Sequence, residues 1–243
     1  MIFFNRKKSS VDFSVFKADM HSHLIPGIDD GSPDVQTSQQ LIRGLKELGF
    51  SELITTPHIL STMYPNTSYT ISAGERILRE QIPDDVSSCN LRSAAEYFLD
   101  DLFLEKFQRG EPLLTVSGKE VLCELSLGFP AKGVRKILFE IQLQGYTPII
   151  AHPERYIYLD RNKEFFEDLK DMGCFFQLNL LALTPYYGHT VSKLAGYLIK
   201  KGHYNYIGTD LHNMAQLQLL RDPEINGGLK KLADYCEIRN SQL

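Results

Sequence analysis

Four short apolar runs in this chain each stop at a residue able to ligate a metal: Leu53-Ile-Thr-Thr-Pro-His58, Val121-Leu-Cys-Glu124-Leu, Pro148-Ile-Ile-Ala-His152-Pro and Tyr206-Ile-Gly-Thr-Asp210-Leu-His212-Asn. Runs of this kind read as buried strands of a parallel sheet, and a polar residue at the C-terminal end of such a strand usually serves a site. Glu96, in Ser93-Ala-Ala-Glu96-Tyr-Phe, fits the series less well, because its run is short and reads equally as a loop. Helical patterns lie between the runs. Ser32 is the expected cap of the first, with Pro33 in its first turn, Asp34 complementing its dipole and a Leu41, Leu45, Leu48 stripe ending at Gly49. Ser72 and Glu75 read as a capping box. Further stripes run through Val134, Ile137, Leu138 and Ile141 to Gly145, through Phe165, Phe166, Leu169 and Met172 to Gly173, and through Val191, Leu194, Leu198 and Ile199 to Gly202. A last helix is expected from Asp222-Pro223 through Leu229 and Leu232. Strands alternating with helices predict a parallel α/β sheet, and strand ends that converge on one site are most economically a barrel.

A chain of 243 residues can bury roughly three quarters of its unfolded surface around one core, so a single domain over 1–243 is expected. Residues 1–17 read as a flexible or peripheral segment. Met1 to Ser10 is too short and too quickly basic for a signal peptide, and no later run is long enough to span a bilayer, which predicts a cytoplasmic location. Phe3, Phe4 and Arg6 to Lys8 read as a frayed terminus rather than a membrane or partner contact. The cysteines Cys89, Cys123, Cys174 and Cys236 show no Cys-x-x-Cys spacing, and none is followed six residues later by arginine. They read as core thiols, which argues against a zinc ribbon, a redox motif and a thiolate nucleophile. A net charge of -4 gives no global footprint for nucleic acid.

The chemistry concentrates near the start, in Asp19-Met-His21-Ser-His23-Leu-Ile-Pro-Gly-Ile-Asp-Asp30-Gly-Ser32-Pro33. In extended chain, side chains alternate faces, so His21 and His23 leave on one side while Met20, Ser22 and Leu24 take the other. Paired imidazoles with oxygen donors elsewhere suit a divalent ion; the bland alternative is a solvated strand face. Glutamates are seldom buried unless paired, which favours a ligand role for Glu124. His189 and His203, beside Gly188 and Gly202, read as loop and helix-end residues. The stretch Met63-Tyr64-Pro-Asn-Thr-Ser-Tyr69 reads either as a recognition loop or as a solvated turn.

These motifs resemble the polymerase and histidinol phosphatase (PHP) family. The residues that carry the resemblance are Met20-His-Ser-His-Leu-Ile-Pro-Gly-Ile-Asp-Asp-Gly-Ser-Pro, Thr56-Pro-His58, Ala95-Glu96-Tyr, Glu124-Leu, His152-Pro-Glu-Arg155-Tyr and Asp210-Leu-His212-Asn. More narrowly, the chain is similar to the bacterial capsule-associated branch, the metal-dependent protein-tyrosine phosphatases. The resemblance implies a distorted (β/α)7 TIM-like barrel of PHP type, with two to three divalent metals at its C-terminal face. It implies that His21, His23, Glu96 and Asp210 hold one metal, that Glu96 bridges to a second held by Glu124 and His152, and that Asp30, His58 and His212 hold a third. Arg155 would face the phosphate. Relatives often carry another phosphate-binding arginine five residues after the histidine of Asp-x-His-Asn; this chain has Leu217 there, and Arg221 is the next arginine.

The function so implied is hydrolysis of phosphotyrosine on the tail of a bacterial tyrosine kinase that governs capsular or exopolysaccharide assembly, with membrane contact only indirect through the kinase and no nucleic acid partner. The chemistry agrees. Phosphate monoesters hydrolyse extremely slowly in water, adjacent metals activate water and neutralise phosphoryl oxygens, and an arginine adds a bidentate clamp. Asp30, or a water near it, can protonate the leaving group. Nitrogen and oxygen donors without thiolate suit manganese first, with iron, zinc or cobalt as alternatives. The main alternative is a small-molecule phosphomonoesterase of the histidinol-phosphate or sugar-phosphate type. An amidohydrolase or deoxyribonuclease barrel also begins with His-x-His, but Asp30 and the closing Asp210-x-His212 pair count against it. A non-catalytic metal-binding scaffold is the remaining competitor.

Overall fold

The apolar runs fold as short parallel strands. A computed structural model describes residues 10–83, 89–130 and 132–243. Its strands are β1 (Ala18–Asp19), β2 (Glu52–Thr55), β3 (His58–Ile59), β4 (Asn90–Ser93), β5 (Glu96–Phe98), β6 (Glu120–Glu124), β7 (Thr147–Ala151), β8 (Phe175–Asn179) and β9 (Tyr206–Gly208). They form two sheets, β1-β2-β4 and β3-β5-β6-β7-β8-β9. The sheets are one ring with two interruptions. Only Thr56 and Pro57 separate β2 from β3, and Pro57 has no N–H for the ladder. Ala94 and Ala95 separate β4 from β5, and pairing crosses both breaks because Ala94 N donates to Thr55 O and Glu96 N to Pro57 O. The ring closes where Ser22 bridges Leu211, with Asp210 N donating to His21 O and His23 N to Leu211 O. Nine strand segments therefore lie on seven paths, and the expected distorted (β/α)7 barrel results.

The helices are α1 (Val35–Glu47), α2 (Ser68–Glu80), α3 (Asp101–Gln108), α4 (Val134–Leu143), α5 (Glu164–Asp171), α6 (His189–Lys200), α7 (Met214–Leu220) and α8 (Ile225–Tyr235). Two expected starts are corrected. Asp34, not Ser32, caps α1, because its carboxylate accepts from Thr37 N at 2.8 Å while Ser32 turns inward to Ser38. The capping box of α2 is Thr67 with Thr70, and the expected Glu75 instead accepts from Ser93 N and Oγ. The helix expected from Asp222 is α8, and α7 precedes it, capped by Asn213. Glu96 lies in a strand rather than a loop.

Of the N-terminal segment expected to be flexible or peripheral, Val11 and Phe13 are buried, while Ser10, Asp12, Ser14, Val15 and Lys17 are exposed. Phe13 is fully buried and stacks on Phe50 with ring centroids 5.2 Å apart. Phe3, Phe4 and Arg6 to Lys8 lie outside the described residues. A large apolar cluster joins the strands' outer face to the helices, while Met20, Ile54, Leu122, Ile149, Ala151 and Tyr206 form a second cluster with no helical member, inside the ring. Asn240 seals the end of the ring that opposes the histidines: its Nδ2 donates to Ala18 O at 2.9 Å and Ile207 O at 2.8 Å, and its Oδ1 accepts from Ile207 N at 2.9 Å. Among the described residues no helix is long and apolar enough to cross a membrane.

Candidate metal centre

His21 and His23 lie just beyond β1, held in extended chain by the bonds that close the barrel. They share a side as the alternation requires, but both are fully buried rather than on a solvated face, and their Nε2 atoms stand 3.3 Å apart. The other strand ends deliver the remaining donors to the same place. His58 and Glu96 are register partners on β3 and β5, and Glu124 closes β6. His152 follows β7 and Asp210 follows β9, each in the left-handed region with φ of 31° and 50°. Such backbone is costly for residues with a Cβ and persists only where surrounding structure enforces it.

The outer partners assign the histidine tautomers. His21 Nδ1 meets Gln177 Oε1 at 2.9 Å, His23 Nδ1 meets Asp29 Oδ2 at 2.9 Å, and His212 Nδ1 meets Asp210 O at 2.8 Å. Each partner accepts only, so each Nδ1 carries the hydrogen and each Nε2 presents a lone pair inward. Two lone pairs 3.3 Å apart repel unless a proton or a cation lies between them.

His21 Nε2, His23 Nε2, Glu96 Oε2 and Asp210 Oδ1 are spaced as one coordination shell. Besides the histidine pair, His21 Nε2 is 3.2 Å from Glu96 and 3.3 Å from Asp210, while His23 Nε2 is 3.5 Å from Glu96 and 3.4 Å from Asp210. Four tetrahedral donors about 2.1 Å from one ion stand roughly 3.4 Å apart. Glu96 Oε2 is buried and makes no hydrogen bond, although His58 Nδ1 lies only 3.1 Å away. An oxygen placed among several nitrogens yet hydrogen-bonded to none fits a metal between them. The residues present therefore fit a divalent ion. Glu96 Oε1 also meets His152 Nε2 at 3.1 Å, with Glu124 Oε1 3.7 Å from the same nitrogen. Asp30 Oδ1 stands 3.5 Å from His58 Nε2 and 3.6 Å from His212 Nε2.

Four overlapping donor groups result: His23, Asp30, His58 and His212; His21, His23 and Glu96; His21, His152 and Asp210; and His58, Glu96 and Glu124. Every expected ligand falls in at least one, but the partition is less tidy than three separate sets, since His21, His23, His58 and Glu96 each serve two groups. The electrostatics are those of closely packed imidazoles and carboxylates. Burial lowers the affinity of His21 for a proton, but Glu96 and Asp210 outweigh it and lift its pKa to about 9. Burial, reinforced by Glu96, raises Glu124 to about 8, whereas burial and Arg155 lower His152 to about 4. Protons on imidazoles here occupy the positions a metal would take.

Arg155, in the short 3-10 turn Pro153–Arg155, reaches this cluster, donating from Nη1 to Asp210 Oδ2 at 2.8 Å. Arg221 is engaged elsewhere, with Nη2 on Glu47 at 2.6 Å, and Leu217 is buried against Gly44. His189 opens α6 and His203 pairs with Glu167 at 3.1 Å, both apart from the donor groups. Part of the Met63–Tyr69 stretch supports the site: the Tyr64 ring stacks on His58 at 5.5 Å, and Asn66 Nδ2 donates to His58 O at 2.9 Å. Of the supporting residues, Asp29 belongs to the Asp29-Asp-Gly-Ser motif, which favours the protein phosphatase over the small-molecule alternative, whereas Gln177 and Asn179 are not singled out by sequence. Gln177 and Asn179 did leave a trace there, as alternate polar positions in the apolar run Phe175-Phe-Gln-Leu-Asn179.

Comparison with known proteins places the site in context. The family model for capsular polysaccharide synthesis, CpsB/CapC, matches residues 17–239. The chain is 26% identical to tyrosine-protein phosphatase CpsB of Streptococcus pneumoniae, covering 81% of this chain and 83% of that one. It is 27% identical to tyrosine-protein phosphatase YwqE of Bacillus subtilis, covering 81% and 77%. A crystal structure from work on YwqE and CpsB, described as unique metal-dependent tyrosine phosphatases, superposes with a TM-score of 0.79 at 21% identity, covering 93% of this chain and 90% of that one. At that identity the superposition shows a shared fold.

Proposed function

This chain belongs to the CpsB/CapC family of capsular polysaccharide synthesis proteins, and from that membership and the donor cluster we propose that it is a metal-dependent protein-tyrosine phosphatase. The observation that carries the reading is the convergence of the His21 and His23 Nε2 lone pairs with Glu96 Oε2 and Asp210 Oδ1, with Arg155 beside them. We assign His21, His23, Glu96 and Asp210 to one ion, Glu96, Glu124 and His152 to a second, and Asp30, His58 and His212 to a third, with manganese first among the candidates. When bound, such ions lower the pKa of water to about 7 and neutralise phosphoryl oxygens during in-line displacement. Arg155 contributes a planar, permanently charged fork that matches two phosphoryl oxygens. To Asp30, half exposed at the rim, we assign the transfer of a proton to the departing phenolate.

A protein substrate suits the surroundings. Met63, Phe129, Ile157 and Tyr186 are exposed in the segments that follow β3, β6, β7 and β8, on the same face as the ligands. Exposed apolar side chains around a polar centre suit a polypeptide better than a small polar metabolite. The substrate we assign is the phosphotyrosyl tail of a bacterial tyrosine kinase in capsule or exopolysaccharide assembly.

Hydrolysis of a phosphotyrosyl peptide, measured beside histidinol phosphate with manganese, iron, zinc, cobalt or chelator, tests the reading. The peptide should be hydrolysed with metal and not with chelator, elemental analysis should find two to three ions per chain, and serine at each cysteine should leave activity in place. Faster turnover of histidinol phosphate under matched conditions would replace this assignment with the small-molecule one.

A further inference from the structure

We propose that Tyr187 is a positioning residue whose ring face holds the Arg155 guanidinium where the substrate's phosphoryl group arrives, a role that rests on the phosphatase reading above. Arginine has many rotamers, and ordering one costs conformational entropy. A clamp fixed before substrate arrives avoids that loss at the moment of binding. The structure restrains Arg155 on two sides. Asp210 Oδ2 accepts from Nη1 at 2.8 Å, and the guanidinium carbon lies 4.8 Å from the centroid of the Tyr187 ring.

The two restraints respond differently to metal. Asp210 is one of the donors, so a cation on its Oδ1 would draw charge away from the bond to Arg155. The ring face is uncharged and keeps its attraction whatever the metal loading. Tyr187 is itself fixed by a chain of contacts. Its hydroxyl accepts from Asn179 Nδ2 at 3.1 Å, and Asn179 Nδ2 also donates to Asp210 Oδ2 at 2.9 Å. The amide of Asn179 cannot turn over, because its Oδ1 accepts from Leu181 N at 2.9 Å. Tyr186 packs edge-on against Tyr187 with centroids 4.7 Å apart. Asp210, Arg155, Tyr187 and Asn179 thus close a loop of contacts around the phosphate-facing side of the cluster.

The test uses manganese-loaded wild type, Tyr187→Leu, Tyr187→Phe, Arg155→Ala and the Arg155→Ala/Tyr187→Leu double variant, read by calorimetric affinity for inorganic phosphate and by kinetics on a phosphotyrosyl peptide. Tyr187→Leu should weaken phosphate binding and raise KM by about tenfold, the scale of a partly desolvated cation–π contact, with metal content unchanged. Tyr187→Phe, which keeps the ring and loses only the hydroxyl, should recover most of that loss. In the Arg155→Ala background, Tyr187→Leu should add nothing, since its effect passes through the missing guanidinium. Equal cost of Tyr187→Leu with and without Arg155, a Tyr187→Phe defect as deep as that of Tyr187→Leu, or no phosphate binding by wild type would each overturn the proposal. A wild type that binds phosphate but leaves the phosphotyrosyl peptide intact would instead defeat the phosphatase reading, with the coupling still measured on phosphate.

Discussion

The two ends of the barrel bury polar groups in opposite ways. Where β1 and β9 begin, Asn240 spends its whole amide on Ala18 O, Ile207 O and Ile207 N. At the ligand end, Glu96 Oε2 is buried without a hydrogen-bond partner, and two imidazole Nε2 atoms face each other 3.3 Å apart. A buried polar atom left unpaired costs about 1–3 kcal/mol. One end is complete as protein; the other is complete, on the assignment proposed above, only with cations. Burial alone does not separate the two kinds of polar cluster, but satisfaction does.

Three perturbations test that contrast, in order of expected size. Glu96→Gln removes the carboxylate shared by two donor groups while keeping its volume. It should lower phosphatase turnover more than about a hundredfold, beyond what loss of a merely supporting partner costs. It should also abolish the rise in melting temperature that manganese gives wild type, which for a ligand at a hundredfold excess over its Kd corresponds to about 2.7 kcal/mol. A variant that kept the full metal-induced rise in a thermal-shift assay would show that Glu96 is structural.

Asn240→Ala should do the reverse. Losing three buried bonds should destabilise the fold by about 2–4 kcal/mol in urea unfolding while leaving metal content and the metal-induced rise as they are. Loss of metal in Asn240→Ala would join the two ends that the contrast separates. The smallest effect concerns Glu154, whose oxygens accept from Asn179 N and Tyr204 OH, so that it is satisfied yet still ionisable. Burial lifts its pKa from 4.5 to about 7. An acid raised on folding contributes stability that is complete below the unfolded value and lost as pH rises through the folded one. Chelated wild type should therefore lose stability relative to Glu154→Gln between about pH 4.5 and 7, by about 1–3 kcal/mol. Parallel melting curves across that range would contradict it.

Much of this was legible in the residues. Period-two alternation is enough to aim His21 and His23 together, and apolar stripes ending in glycine outlined α1, α4, α5 and α6, because one buried face leaves a repeat in sequence. Caps were less legible: Ser32 and Asp34 both qualify locally, and tertiary burial of Ser32 decided between them. Nothing in the residues singles out α3 or α7; α7 holds only seven residues, too few turns to display a period. Glu96 was ambiguous because its strand path breaks at Ala94 and Ala95. Gln177 lies 156 residues from the histidine it orients, a relation that exists only after folding. The sharing of His21, His23 and His58 between donor groups is likewise a matter of ångströms and not of motif.

The seam that closes the barrel also sets a schedule for biosynthesis. Thr209 and Asp19, bonded across it, are 190 residues apart in the chain. At roughly 5–20 residues per second, a ribosome would release the first histidine pair on the order of 10–40 s before the segment that completes its shell. During that interval the nascent chain offers imidazoles without Asp210 or the fixed outer partner Gln177, and so holds a cation only weakly. On the metal assignment proposed above, selective loading belongs to the finished ring, and a truncated product lacking the last strand would carry most of the ligands yet little of the affinity.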